Sequence, residues 1–138
     1  WCMKNPIVRG ILAVIAGWLV GSAVNMGIIM ISGAVIALPE GVIAGDMESL
    51  KENIHLFEGK HYIMPFLAHA LGTLVGAIVA VKLGLSKHLL LAMIIGVLFF
   101  IGGLMVNSQL GITGTPYWVD ILLAYFPFAF FGYKIGKN

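Results

Sequence analysis

Four long apolar runs, at about residues 10–37, 62–81, 89–107 and 118–134, decide what this chain can be. Each is close to the ~20 residues that carry an α-helix across a bilayer. The charges inside them are Asp120 and, at the very end of the last run, Lys134. A water-soluble fold is excluded by the rest of the composition. Only 10% of the residues are charged against about 25% in a soluble domain, so the apolar excess must face lipid. Eighteen glycines point the same way, because small residues let membrane helices approach closely. The expected fold is an all-α integral membrane protein of four transmembrane helices, with residues 1–138 forming one membrane domain.

The first run is the longest. At ~1.5 Å per residue it spans roughly 43 Å, so it must tilt, emerge into the headgroups or break near Gly33 before Pro39 ends it. It is too long for the apolar segment of a signal peptide, and Val35-Ile36-Ala37 is a poor cleavage site. Met3-Lys4-Asn5 reads as a natural start, which would make Trp1 and Cys2 an upstream addition. The single cysteine excludes a disulfide framework.

Charge sets the expected orientation. Lys4, Arg9, Lys82, Lys87, Lys134 and Lys137 fall on the side that holds both termini. Every acid in the chain, Glu40, Asp46, Glu48, Glu52, Glu58 and Asp120, falls on the other, with Lys51 and Lys60. Basic residues in short loops are retained in the cytoplasm, so both termini are expected inside a plasma membrane of the bacterial inner-membrane type. Tyr62, Tyr117 and Trp118 then mark the outer boundary and Tyr133 the inner one.

A weak duplication runs through the chain. Gly21 to Asn25 matches Gly103 to Asn107, and Phe66, Gly72 and Gly76 match Phe126, Gly132 and Gly136. It suggests a 2+2 parallel repeat of helix hairpins. Chance accounts for the match equally well in a chain so rich in glycine and aliphatics. Helical spacing collects the small and polar residues of each run on one face: Ala13, Gly17, Gly21 and Asn25; His69, Gly72, Thr73, Gly76 and Ala80; Ala92, Gly96, Gly103 and Asn107. Gly17–Gly21 and Gly72–Gly76 are GxxxG pairs, suited to packing within the chain or to docking on another copy or another membrane protein. Pro127, in the middle of the fourth run, is expected to kink it.

His69 is the most informative residue, because an ionisable group about 10 Å inside a membrane helix marks a site or an internal pair. Asp120 enters from the same side, and Asn25, Asn107 and Thr73 lie at comparable or shallower depth. These residues would line an outward-facing cavity, with His69 and Asp120 as a protonatable pair and the asparagines as neutral ligands for a solute, an ion or a quinone headgroup. The plainer alternative is that His69 bonds a carbonyl or an asparagine and only fixes helix register.

The outer loop, residues 39–61, is expected to hold a short amphipathic helix with Met47, Leu50, Ile54 and Phe57 on one side. Asp46 would cap it, and Ser49 with Glu52 has capping-box spacing. Such a helix would lie on the membrane surface or cover the cavity. Two tandem Glu-x-x-His pairs, Glu52/His55 and Glu58/His61, have the spacing with which a helix can offer a carboxylate and an imidazole to one metal, although Gly59 disturbs the second. A solvated acidic loop is the ordinary reading of that segment.

No phosphate loop, dinucleotide fingerprint, nucleophile elbow or zinc-protease motif is present, and no cofactor is expected beyond bound lipid. Small four-helix multidrug exporters match in size, but their pattern needs a carboxylate in the middle of the first helix, where this chain has Gly17, Gly21 and Asn25. Three functions stay open. The first is a non-catalytic accessory subunit or self-associating unit whose partners are lipid and other membrane subunits or a homo-oligomer, with no nucleic acid. The second is a small transporter or channel built around His69, and the third a cofactor-binding membrane enzyme or electron-transfer component.

Overall fold

The structure, a computed structural model, describes residues 4–138 and is all-helical, with no strand among them. Cys2 and the start at Met3 lie outside the described residues. Six α-helices follow one another: α1 (Pro6–Val35), α2 (Met47–Asn53), α3 (Ile63–Leu83), α4 (His88–Leu110), α5 (Thr115–Leu123) and α6 (Phe126–Lys137). Short 3₁₀ turns at Ile54–Leu56 and Gly59–Tyr62 lead from α2 into α3. Four segments are long and apolar enough to span a membrane: α1, α3 with its preceding turn, α4, and α5 with α6 taken together.

Local chemistry explains the boundaries. Asn5 caps α1 by accepting from the amides of Ile7 and Val8, and Pro6 takes the first helical position, where a missing N–H costs nothing. The helix therefore begins earlier than hydropathy alone suggests, and it continues unbroken past Gly33 to Val35. Asp46 caps α2 as expected. The capping box, however, is not at Ser49 and Glu52. With Asp46 already in the cap position, the Ser49 hydroxyl accepts from the Ile43 amide and donates to the Gly41 carbonyl, closing the loop on itself. A capping box forms instead at Glu58, whose amide donates to His61 Nδ1 at 2.8 Å. In the fourth span Pro127 produces a full break rather than a kink. Two non-helical residues, Ala124 and Tyr125, separate α5 from α6, and Pro127 lies in the first turn of the new helix. A proline inside a continuous helix would remove its own N–H bond and clash with the carbonyl four residues back, at Leu123.

The central element is α3, which packs against α1, α4 and α6. Its seam with α1 is made by the two GxxxG pairs facing each other. A Cβ placed on Gly21 would stand 2.5 Å from the Gly72 carbonyl oxygen, one on Gly72 2.8 Å from that of Gly21, and one on Gly76 2.8 Å from that of Gly17. Glycine here is a matter of space, since backbone meets backbone directly. At one end of the seam Arg9 Nε donates to the Leu83 carbonyl at 2.7 Å, satisfying an orphan acceptor at the C-terminus of α3. A second seam joins α3 to α6, where Gly132 abuts Ala77 and Gly136 abuts Val81. Gly96 of α4 abuts Ala129 of α6. The start of α1, the end of α6 and the α3–α4 connection share one end of the bundle, which carries Lys4, Arg9, Lys82, Lys87, Lys134 and Lys137; the acidic loop covers the other.

Candidate functional site

Near the acidic end α3, α4 and α5 each contribute one polar side chain to a common point. His69 lies in the second turn of α3, Asp120 in the second turn of α5 and Asn107 in the last turn of α4. His69 Nδ1 is 2.7 Å from Asp120 Oδ1. Asp120 Oδ2 accepts from Asn107 Nδ2 at 2.9 Å and from the Tyr125 hydroxyl at 2.8 Å. That hydroxyl also lies 3.0 Å from His69 Nδ1, and the two rings stack with centroids 5.8 Å apart. Asn107 and Asp120 are buried, and Tyr125 is almost completely so.

The donor pattern fixes the histidine tautomer. As a carboxylate Asp120 can only accept, so Nδ1 carries the hydrogen and Nε2 is left either with its lone pair or with a second proton. Nε2 makes no hydrogen bond within the protein. It is also not sealed away, since among the described residues the one buried side-chain polar atom without a partner is Asn25 Oδ1. A histidine held at Nδ1 by a carboxylate, with Nε2 free, is arranged to accept a proton or a hydrogen bond from something else. With a neutral imidazole the cluster carries one negative charge; with an imidazolium it carries none.

His69, Asn107 and Asp120 sit on the wall of a cavity of about 130 Å³ that is otherwise lined by apolar and aromatic side chains, Phe57, Tyr62 and Phe66 among them. Leu50, Ile54 and Phe57 from the acidic-end loop complete the lining. The amphipathic face expected from sequence is thus turned inward over the polar cluster, although the α-helix stops at Asn53 and a 3₁₀ turn presents Ile54.

Two of the five residues grouped by depth stand apart. Thr73 spends its hydroxyl on the His69 backbone carbonyl at 2.7 Å, a bond within α3 that does not reach Asp120. Asn25 lies in the α1–α3 seam, its Cβ 3.0 Å from where a Cβ on Gly72 would stand, and it does not line the cavity. Of the tandem Glu-x-x-His pairs, His61 serves the turn before α3, while Glu52 and His55 are exposed. Among the described residues no three histidine, cysteine, aspartate or glutamate side chains gather as a metal site requires.

Tyr125 is the site residue that sequence reasoning passes over. Its place is made by Gly103, because any Cβ there would overlap the phenol hydroxyl and ring. Gly103 also accepts from Asn107 Nδ2 through its carbonyl at 2.8 Å, so one turn of α4 orients both neutral partners of Asp120. No protein-family model, no curated protein and no solved structure matches the chain.

Proposed function

We propose that this is a small multi-pass membrane protein that binds a small solute at the His69–Asp120 pair and moves it across the membrane in step with protonation of His69. The observation that carries the reading is a histidine bonded to a carboxylate at 2.7 Å, secured on the second oxygen by Asn107 and Tyr125, on the wall of a cavity inside an apolar bundle. Ionisable groups at such depth are costly and are characteristic of ion and solute pathways. The helix break supports movement. Tyr125 lies in the break and bonds Asp120, so a change at the carboxylate reaches the joint between α5 and α6 directly, as in the discontinuous helices of carriers. The basic end faces the cytoplasm in this reading, which puts the cavity at the outer surface.

A second reading, an accessory subunit, draws on α1. Its inner face is spent on α3, but Ile11, Ile15, Trp18, Leu19, Met26 and Met30 are exposed along the rest.

A panel of hydroxylated and aminated small solutes, screened by thermal unfolding of the purified chain, tests the main proposal. A ligand at a hundred times its Kd adds about 2.7 kcal/mol of stability and raises Tm by several degrees. That rise is expected to vanish in His69→Ala and in Asp120→Asn. If His69→Ala lowers the melting temperature yet leaves every ligand response intact, the histidine is structural and the proposal fails. The mass of the same gently solubilised particle decides the second reading, which requires a stoichiometric larger partner.

A further inference from the structure

The cavity beside His69 shares walls with a second, larger hollow. Phe57, Tyr62, Phe66, Pro116 and Val119 line both, and the second, of about 610 Å³, extends between α3 and α5 past Ile63 and Leu67. Ile63, Leu67 and Val119 are exposed side chains on membrane-spanning segments, while Glu58, Gly59 and Thr115 rim the same hollow toward the acidic end, so it opens sideways where headgroups meet acyl chains. Toward the acidic end the inner cavity is lined by apolar Leu50, Ile54 and Phe57. The wider approach to His69 is therefore sideways, from the interfacial level of the bilayer.

Size and chemistry narrow what enters. A cavity of this order holds one six-membered ring: an apolar protein cavity of about 150 Å³ binds benzene. Three aromatic side chains line it, and rings favour offset or edge-on contact with one another. His69 lines the cavity, and its Nε2, in the neutral tautomer an acceptor that bonds nothing within the protein, calls for a ligand O–H. The apolar hollow then receives the rest of the molecule.

Resting on the solute-binding reading above, we propose that the ligand is a membrane-borne amphiphile with a single phenolic ring as its head and an apolar tail. The ring seats against Phe57, Tyr62 and Phe66, the hydroxyl donates to His69 Nε2, and the tail leaves between α3 and α5 into lipid.

The test compares 4-octylphenol with phenol on the purified chain in lipid nanodiscs, read by titration calorimetry and by a photoreactive diazirine placed on the octyl chain. The tailed compound is expected to bind at least tenfold more tightly than phenol, to label α3 or α5 at Ile63, Leu67 or Val119, and to lose at least tenfold in affinity in His69→Ala. Leu67→Trp fills the outer hollow, to whose wall Leu67 belongs while it takes no part in the inner cavity; it is expected to weaken octylphenol by tenfold or more and phenol by less than threefold. If phenol and octylphenol bind equally, or if Leu67→Trp is silent while His69→Ala is not, the solute site stands and the lateral amphiphile is overturned. If other solutes bind in a His69-dependent way and neither phenol does, the phenolic head alone is wrong. Labelling scattered over the exposed faces of α1 and α4 also overturns the proposal.

Discussion

Asp120 holds the site together because it accepts from three side chains delivered by α3, α4 and the break between α5 and α6, and two of these donors, Asn107 and Tyr125, depend on Gly103 for their place. Gly103, itself buried, is the residue on which both depend. In Gly103→Ala the new methyl would overlap the Tyr125 hydroxyl, so the phenol must leave Asp120 and one acceptor bond is lost. The expected cost is about 1–3 kcal/mol, seen as a lower melting temperature together with weaker solute binding at His69. Tyr125→Ala added to Gly103→Ala should cost less than the two single changes combined, since the ring has already been displaced. Additive losses would show that Gly103 and Tyr125 do not share a task. At this scale His69, Asp120 and Asn107 are legible in the sequence, because each interrupts a run of aliphatics at matching depth. Tyr125 is not. Aromatics are ordinary in membrane helices, and the one cue was a hydroxyl two residues before Pro127, which a buried tyrosine must satisfy. Thr73 and Asn25 were grouped by depth alone, and depth does not say which way a side chain turns around its helix.

The elements themselves were largely readable, and where they differ a cap or a proline is responsible. Hydropathy places four spans, yet it does not register that Asn5-Pro6 starts α1 or that Pro127 divides the fourth span into α5 and α6. The GxxxG pairs were visible as motifs, but spacing does not encode which helix meets which. The structure sets Gly17–Gly21 against Gly72–Gly76 within one chain, so both stripes are occupied by packing inside the bundle. In Gly76→Val the first side-chain atom would stand 2.8 Å from the Gly17 carbonyl oxygen, forcing α1 and α3 apart. A drop in melting temperature of about 5 °C or more is expected, from a packing loss on the order of 1–3 kcal/mol. Gly27→Ala is the control, because a Cβ there meets nothing within 4 Å and alanine is the better helix former. Its melting temperature should be unchanged or slightly raised. Equal sensitivity at both positions would mean that the seam is not what holds α1.

For the molecule as a whole, the separation of charge between the two ends is the feature on which the proposed orientation rests. In a background carrying Cys2→Ser, the single changes Glu48→Cys and Lys87→Cys place one thiol at the acidic end and one at the basic end. An impermeant maleimide applied to intact cells is expected to label the first and spare the second; the reverse pattern would invert the orientation and turn the His69 cavity toward the cytoplasm. The α1–α3 seam also has a meaning in time. Its halves, Gly21 and Gly72, are separated by the whole acidic loop. At ~5–20 residues per second of synthesis, α1 resides in the bilayer for on the order of five seconds before its complementary surface exists. Until α3 arrives α1 carries an open glycine stripe, so the translocation machinery must tolerate, or shelter, that unfilled face.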